Sequence, residues 1–205
     1  MPHKSKINLH VPDYLRKAKR GPQVILPKDA GIILTYSGMD KNSKVVEAGS
    51  GSGYMTVQMA RFCKRVTSYE KDEGFYKLVS GNLVRLGIKN VKLKHQDVLA
   101  AGADGKIKGI TEKNVDLVFL DMPDSHLAIP SAYKALKPAT GCLVGYNPNM
   151  EQVKQFALTA REVGFKDDFT IEVIVREILV RDYGVRPASI GLTHTGYITF
   201  CWKRE

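Results

Sequence analysis

A chain of 205 residues, 43% hydrophobic and 25% charged, has the composition of a globular protein and the length of one domain. No apolar run approaches the roughly 20 residues that span a bilayer, and the start, MPHKSKINLH, lacks the apolar stretch of a secretory signal. Membrane-inserted and secreted classes are therefore set aside, and the cytoplasm is the expected place. The 31 Lys and Arg outnumber the 21 Asp and Glu by ten, an excess that attracts polyanions, nucleic acid above all.

That charge is uneven. Lys4, Lys6, Arg16, Lys17, Lys19 and Arg20 crowd the first segment, and Lys203 and Arg204 stand near the other end. A solvated basic terminus is the plainer account of the same residues. Cys63, Cys142 and Cys201 are scattered, with no CxxC and no His at ligand spacing, which is the pattern of buried free thiols in a reducing compartment. No metal site is expected.

Residues 1–26 carry little periodicity and read as a basic segment ahead of one catalytic unit, 27–205. Pro27, Lys28, Asp29 and AGIIL (30–34) suggest a helix laid across the carboxyl edge of a sheet. KVVEAG (44–49) is a strand that ends in glycine, and YMTVQMARFC (54–63) a helix. RVTSYE (65–70) is a second strand, and Phe75, Leu78, Val79, Leu83 and Leu86 give the apolar stripe of a helix from about 72 to 86. VKLKH (91–95) and VDLVFLD (115–121) are further strands, the latter apolar enough to be covered on both faces. The Gly- and Lys-rich stretch 100–114 reads as a mobile loop. HLAIPSAYKAL (126–136) is helical with Pro130 interrupting or restarting it, CLVGY (142–146) is a strand, and MEQVKQFALTAREVG (150–164) is a helix capped by Gly164. IEVIVREILVR (171–181) and TGYITFCWK (195–203) are both strand-like with no helix between them, so they are expected to pair antiparallel. The whole is an α/β, doubly wound parallel sheet with right-handed crossovers, closed by an antiparallel strand.

Glu47-Ala48-Gly49-Ser50-Gly51-Ser52-Gly53 lies between the first strand and its helix. Glycines there let the backbone turn tightly and approach a ligand. A dinucleotide fingerprint would place its third glycine where Tyr54 stands, which weakens a nicotinamide reading. Glu70 ends the second strand about 20 residues on, where a carboxylate accepts ribose hydroxyls. Asp97, with Val98 beside it, follows the third strand in a place to accept the adenine amino group, and Asp121 ends the fourth at the ligand-binding edge. Each acid alone is equally well a helix cap or turn residue. Together they favour a nucleoside site without a phosphate cradle, and S-adenosylmethionine, a cation lacking pyrophosphate, fits it.

With these residues in place the chain resembles the tRNA (adenine-N1)-methyltransferases that modify the T-loop, the archaeal kind in particular. The matching blocks are GPQVILPKDAG (21–31), VVEAGSGSG (45–53), SYE (68–70), LDMPD (120–124), ALKP (135–138), YNPN (146–149) and RPASIGLTHTGYITF (186–200). EAGSGSG speaks only for a class I methyltransferase. LDMPD and the closing segment are far more specific. The resemblance implies a seven-stranded, Rossmann-like sheet with its last strand antiparallel and helices on both faces, and a homotetramer. It implies that Ser52, Gly53, Tyr54 and Met55 line the methionine end, that Glu70 holds the ribose and Asp97 the adenine, that Asp121 sits beside the transferred methyl, and that Gln23, Lys28 and Asp29 close over the cofactor.

Two departures stand out. The small β-rich domain that relatives carry ahead of the catalytic domain has almost no counterpart here, so the basic segment 4–20 is a candidate for part of its tRNA-holding role. Leu26 replaces the Tyr or His that several relatives place near the target base, so Tyr54, Tyr146 or Tyr36 is expected to stack on it. Met122 and Pro123 are candidate walls for the adenine, or packing beneath a loop. His194 touches substrate or caps a turn, and Arg176, Arg181 and Arg186 line a phosphate path or are solvated strand charges.

The expected reaction is methyl transfer to N1 of adenine 58, with adenine 57 a second candidate, and Asp121 as the catalytic carboxylate. A class I methyltransferase acting on a small molecule or on protein isoaspartate, and a non-catalytic RNA-binding descendant, are the competing readings.

Overall fold

Alternation of apolar residues along the strands sends neighbouring side chains to opposite layers, and it is this that builds a three-layered molecule. The computed structural model describes residues 11–21, 23–189, 191 and 194–204. Lys4 and Lys6 of the basic start, and residues 190, 192 and 193 of the closing block, lie outside them.

Strands β1 (Lys44–Ala48), β2 (Arg65–Glu70), β3 (Val91–His95), β4 (Leu117–Leu120), β5 (Cys142–Asn147), β6 (Lys166–Glu172) and β9 (Tyr197–Trp202) form one sheet, in the order β3-β2-β1-β4-β5-β9-β6. Six run in one direction. β9 alone runs against them, between β5 and β6. β4, LVFL, is buried along its whole length, as a central strand covered on both faces must be. Val45, Leu117, Phe119, Cys142 and Val144 face Met55 and Met59 on one side. Val46, Val118, Leu120 and Leu143 face Ile129, Ala132 and Phe156 on the other.

Helices α2 (Pro27–Tyr36), α3 (Tyr54–Phe62) and α4 (Glu73–Arg85) cover the first layer, and α5 (Ile129–Ala135) and α6 (Met150–Val163) the second. Their ends follow local chemistry. Pro27 occupies the first turn of α2, where its missing N–H costs nothing. The Asp72 carboxylate accepts from Phe75 N at 2.8 Å, and Asn149 Oδ1 from Gln152 N at 2.9 Å, caps worth about 1 kcal/mol each.

Four expectations change, and at Pro130 the expected restart of the helix is found. The strand expected over 171–181 is two elements. β6 begins at Lys166 and stops at Glu172, because its partner β9 starts at Tyr197, directly opposite. The chain then leaves the sheet, and β7 (Ile178–Arg181) turns back as a separate ribbon with β8 (Gly184–Pro187). The stretch 100–114 is tied down rather than loose: Ala101 bridges Ile107, Gly109 N donates to Val98 O, and Ile110 is buried. A 3-10 turn, Ser125–Ala128, precedes α5, which begins at Ile129 with Pro130 in its first turn. α2 meets the carboxyl edge only with its first turn, while Ala30 and Ile33 pack on the sheet's face. Finally, the segment before α2 contains α1 (Asp13–Arg16), too short to display a period, whose Leu15 packs with Ala18 against Tyr54, Val57, Val79 and Leu83.

Candidate active site

The strand order reverses between β1 and β4, and their carboxyl ends diverge there into a crevice. A cavity of about 490 Å³ opens at this edge. Gly49 and Gly51 contribute from the turn after β1, Glu70 from the end of β2, Asp97 and Val98 from beyond β3, and Asp121, Met122 and Pro123 from beyond β4. Tyr146 at the end of β5 and Gln23 ahead of α2 complete the wall. These ten expected residues meet in one place.

The glycine turn is shaped around Glu70. Its carboxylate accepts from Gly51 N and from Asp72 N, each at 2.9 Å, so both oxygens are held while lone pairs remain for further donors. Gly51 has φ of +54°, and a Cβ there would meet no protein atom within 4 Å. Asp97 is fixed by Leu99 N, which donates to Oδ1 at 2.8 Å, with Lys71 Nζ 4.0 Å from Oδ2.

Glu47 lies beneath the turn, fully buried, where Oε2 accepts from Thr56 and Ser68 at 2.5 Å each. Burial pushes its carboxyl up to about 7; the two hydroxyls oppose the shift, and Asp121 and Glu70 add to it. Burial likewise raises Asp121 to about 7, with the Glu70 carboxylate contributing. Three acids sharing one site repel one another until a cation joins them. Glu47 Oε1 and Ser52 Oγ, both buried, have no hydrogen-bond partner. This chemistry suits a sulfonium nucleoside: the site offers acceptors for ribose and adenine, and Glu70, Asp97 and Asp121 outnumber Lys71 among its charged strand-end groups.

Other expected residues stand outside the cavity. Tyr54 and Met55 point into the packing between helices and sheet, Ser52 and Gly53 are turned away beneath the turn, and Glu47 supports the site from below. Lys28 and Asp29 form a buried ion pair at 2.8 Å behind the wall. Thr195 Oγ1 donates to Asp29 Oδ2 at 2.8 Å, the Tyr146 hydroxyl lies 3.4 Å from the same oxygen, and Lys28 Nζ also reaches Val173 O. Burial raises the Tyr146 phenol well above its usual range, so it remains a donor. Of the three aromatics expected near the base, Tyr146 lines the cavity; Tyr54 is buried among helices, and Tyr36 packs on Phe169 and Phe200. His194 bridges Glu172 Oε1 at 2.6 Å and Pro148 O at 3.1 Å, and its pKa is raised chiefly by the Glu172 hydrogen bond, then by the Pro148 carbonyl. It braces the rim. Arg176 and Arg186 are exposed and Arg181 is half-buried, all on or beside the β7–β8 ribbon and away from the cavity.

Phe75, Gln96, Leu99, Pro148 and Gln152 also line the cavity and were not anticipated. Each sits within a few residues of a strand's carboxyl end, which is the signal that would have found them. Phe75 was hidden by its place in the apolar stripe of α4.

Over residues 17–195 the chain matches the family described as tRNA methyltransferase complex GCD14 subunit. It is 36% identical over 209 residues to TrmI of Methanocaldococcus jannaschii, named as a tRNA (adenine(57)-N(1)/adenine(58)-N(1))-methyltransferase, with 91% of this chain and 74% of that one covered. The crystal structure of the tRNA (m1A58) methyltransferase TrmI from Aquifex aeolicus is similar with a TM-score of 0.83 at 25% identity, over 94% of this chain and 74% of the other. That of a SAM-dependent O-methyltransferase from Thermotoga maritima also has a TM-score of 0.83, at 30% identity, over 92% and 69%. The matched span takes in the glycine turn, all three strand-end acids and the Thr195 that braces Asp29, and the chain therefore belongs to the GCD14 family of tRNA methyltransferases.

Proposed function

We propose that this protein transfers a methyl group from S-adenosylmethionine to N1 of adenine in the T-loop of tRNA, at position 58 with the neighbouring adenine 57 as a second target. The observation that carries the reading is the placement of Asp121, raised to about 7, on the same cavity wall as the backbone-anchored Glu70. The likeness to TrmI supports the choice of substrate.

Glu70 would hold the ribose and Asp97 the adenine of the cofactor, which supplies an electrophilic methyl carbon on sulfur. Adenine N1 is a nucleophile near neutral pH, so the residues have chiefly to align it and exclude water. The target ring gains positive charge as the N–C bond forms. Asp121 as a carboxylate accepts from its exocyclic amino group and stabilises that charge. Tyr146, held by Asp29, and Phe75 offer rings against which a flipped base can stack.

The same reading includes finer features. Residues 27–205 act as the catalytic unit and 1–26 as its basic segment, of which 11–21 dock through Leu15 and Ala18. The exposed Ile178, Val180, Tyr183 and Val185 of the β7–β8 ribbon serve self-association into a homotetramer. The enzyme works in the cytoplasm.

Incubation with methyl-labelled cofactor and, separately, total tRNA, a protein extract and a metabolite extract tests the assignment. Label recovered from digested tRNA as 1-methyladenosine is expected. Label in protein or a small molecule instead, or cofactor binding without transfer, overturns it.

A further inference from the structure

A second, smaller cavity of about 150 Å³ lies where α1, α3 and α4 meet, near the carboxyl ends of the two longer helices and thus at the opposite end of them from the active site. Lys17, Arg61 and Arg85 line it beside Tyr14 and an apolar floor of Val57, Leu86 and Ile88. Among the described lining residues there is no carboxylate. The Arg61 guanidinium lies 4.1 Å from the centre of the Tyr14 ring, and Arg85 is aimed by a 2.7 Å hydrogen bond to Asn82 Oδ1. Two of the three cations are therefore held in place, whereas most surface charges are free to sweep through solvent.

The segment leading away from this cavity runs to the active site. Asn82 clamps it from α4: Oδ1 accepts from Lys19 N, and Nδ2 donates to Lys19 O and to Ser52 O of the glycine turn. Gly21 then lies against Ser52 and Phe75, and Gln23 is already in the catalytic cavity wall. Lys17, Lys19 and Arg20 are exposed along the way. Cations set in a concave pocket, continued by a basic strip that ends at the target site, match a chain of phosphates better than one isolated anion.

We infer that this pocket binds a backbone phosphate of the RNA substrate, and that residues 17–20 carry the adjoining phosphates toward the active site. The inference rests on the function proposed above. It assigns part of the tRNA grip to the flank of the catalytic unit.

The test compares the full-length protein with Lys17→Gln/Arg85→Gln and with the exposed single reversal Lys17→Glu, in tRNA binding titrated across salt concentrations. For the double variant the dissociation constant for tRNA should rise roughly tenfold, and the slope of log affinity against log salt should fall by about one to two. Lys17→Glu should weaken tRNA binding at unchanged S-adenosylmethionine affinity and melting temperature, which separates it from a fold defect. Wild-type protein that methylates tRNA while both variants bind it equally well overturns the inference and leaves the function standing. Melting raised by millimolar inorganic phosphate, lost in the variants without change in tRNA affinity, assigns the pocket to a free anion and overturns it too. Wild-type protein that methylates no tRNA overturns the function, and this inference with it.

Discussion

A side chain on Gly49 would collide with Asp121: an ideal Cβ falls 1.9 Å from the Asp121 carbonyl oxygen. Gly49 also has φ of +90°, which side-chain-bearing residues rarely adopt. Asp121 N donates to Ala48 O at 3.0 Å, so the glycine turn and the strand end that carries Asp121 form one unit. Gly49→Ala should force them apart, costing about 3 kcal/mol in denaturant titration and abolishing cofactor binding in calorimetry. A variant that binds normally would show that this contact has room to give.

In the proposed reaction Asp121 must be ionised to accept from the target amino group. Its raised pKa makes the rate rise with pH, with a midpoint near 7 in kcat/KM for the cofactor, which reports the free enzyme. The midpoint in kcat should lie lower, since a bound cation favours the carboxylate. Asp121→Ala should lower methyl transfer by about 100-fold or more, and Asp121→Asn should erase the limb. Near-normal turnover in either variant removes the residue from the chemistry.

Glu47 makes a prediction about stability. Below its ordinary value of 4.5 it is protonated in both folded and unfolded chains and contributes no difference. Between 4.5 and about 7 the unfolded chain ionises while the folded one holds its proton, so stability falls as pH rises. Above 7 the loss is complete, on the order of 3 kcal/mol. Glu47→Gln escapes this cost, and its stability relative to wild type should improve by about that amount from pH 4.5 to pH 8 in paired denaturant titrations. A difference that does not vary with pH would mean Glu47 is ionised throughout.

Asp29→Ala would leave Lys28 buried without its counter-charge, an expected loss of about 3 kcal/mol. Adding Lys28→Met should restore most of it, because an apolar pair needs no partner. Through Tyr146 the single variant should also raise the KM for tRNA more than that for cofactor. Equal effects on both would place the pair's role in folding alone.

Period and punctuation made much of this molecule readable before any coordinate. The apolar run LVFL could be satisfied only by burial on both faces, and the glycines between a strand and a helix marked the ligand edge. Glu70, Asp97 and Asp121 were visible because a parallel sheet brings all its carboxyl ends to one side. Contacts between residues far apart in the chain left no such trace. Nothing near Lys28 and Asp29 announces Thr195 or Tyr146, so a pair expected over the cofactor proved to lie behind the wall. Nothing in IEVIVREILVR says where β9 begins, and it is that partner's first residue that ends β6 at Glu172. Local sequence governs the preferences of a few neighbouring residues, whereas register, burial and shared charge arise only when distant segments compete for the same space.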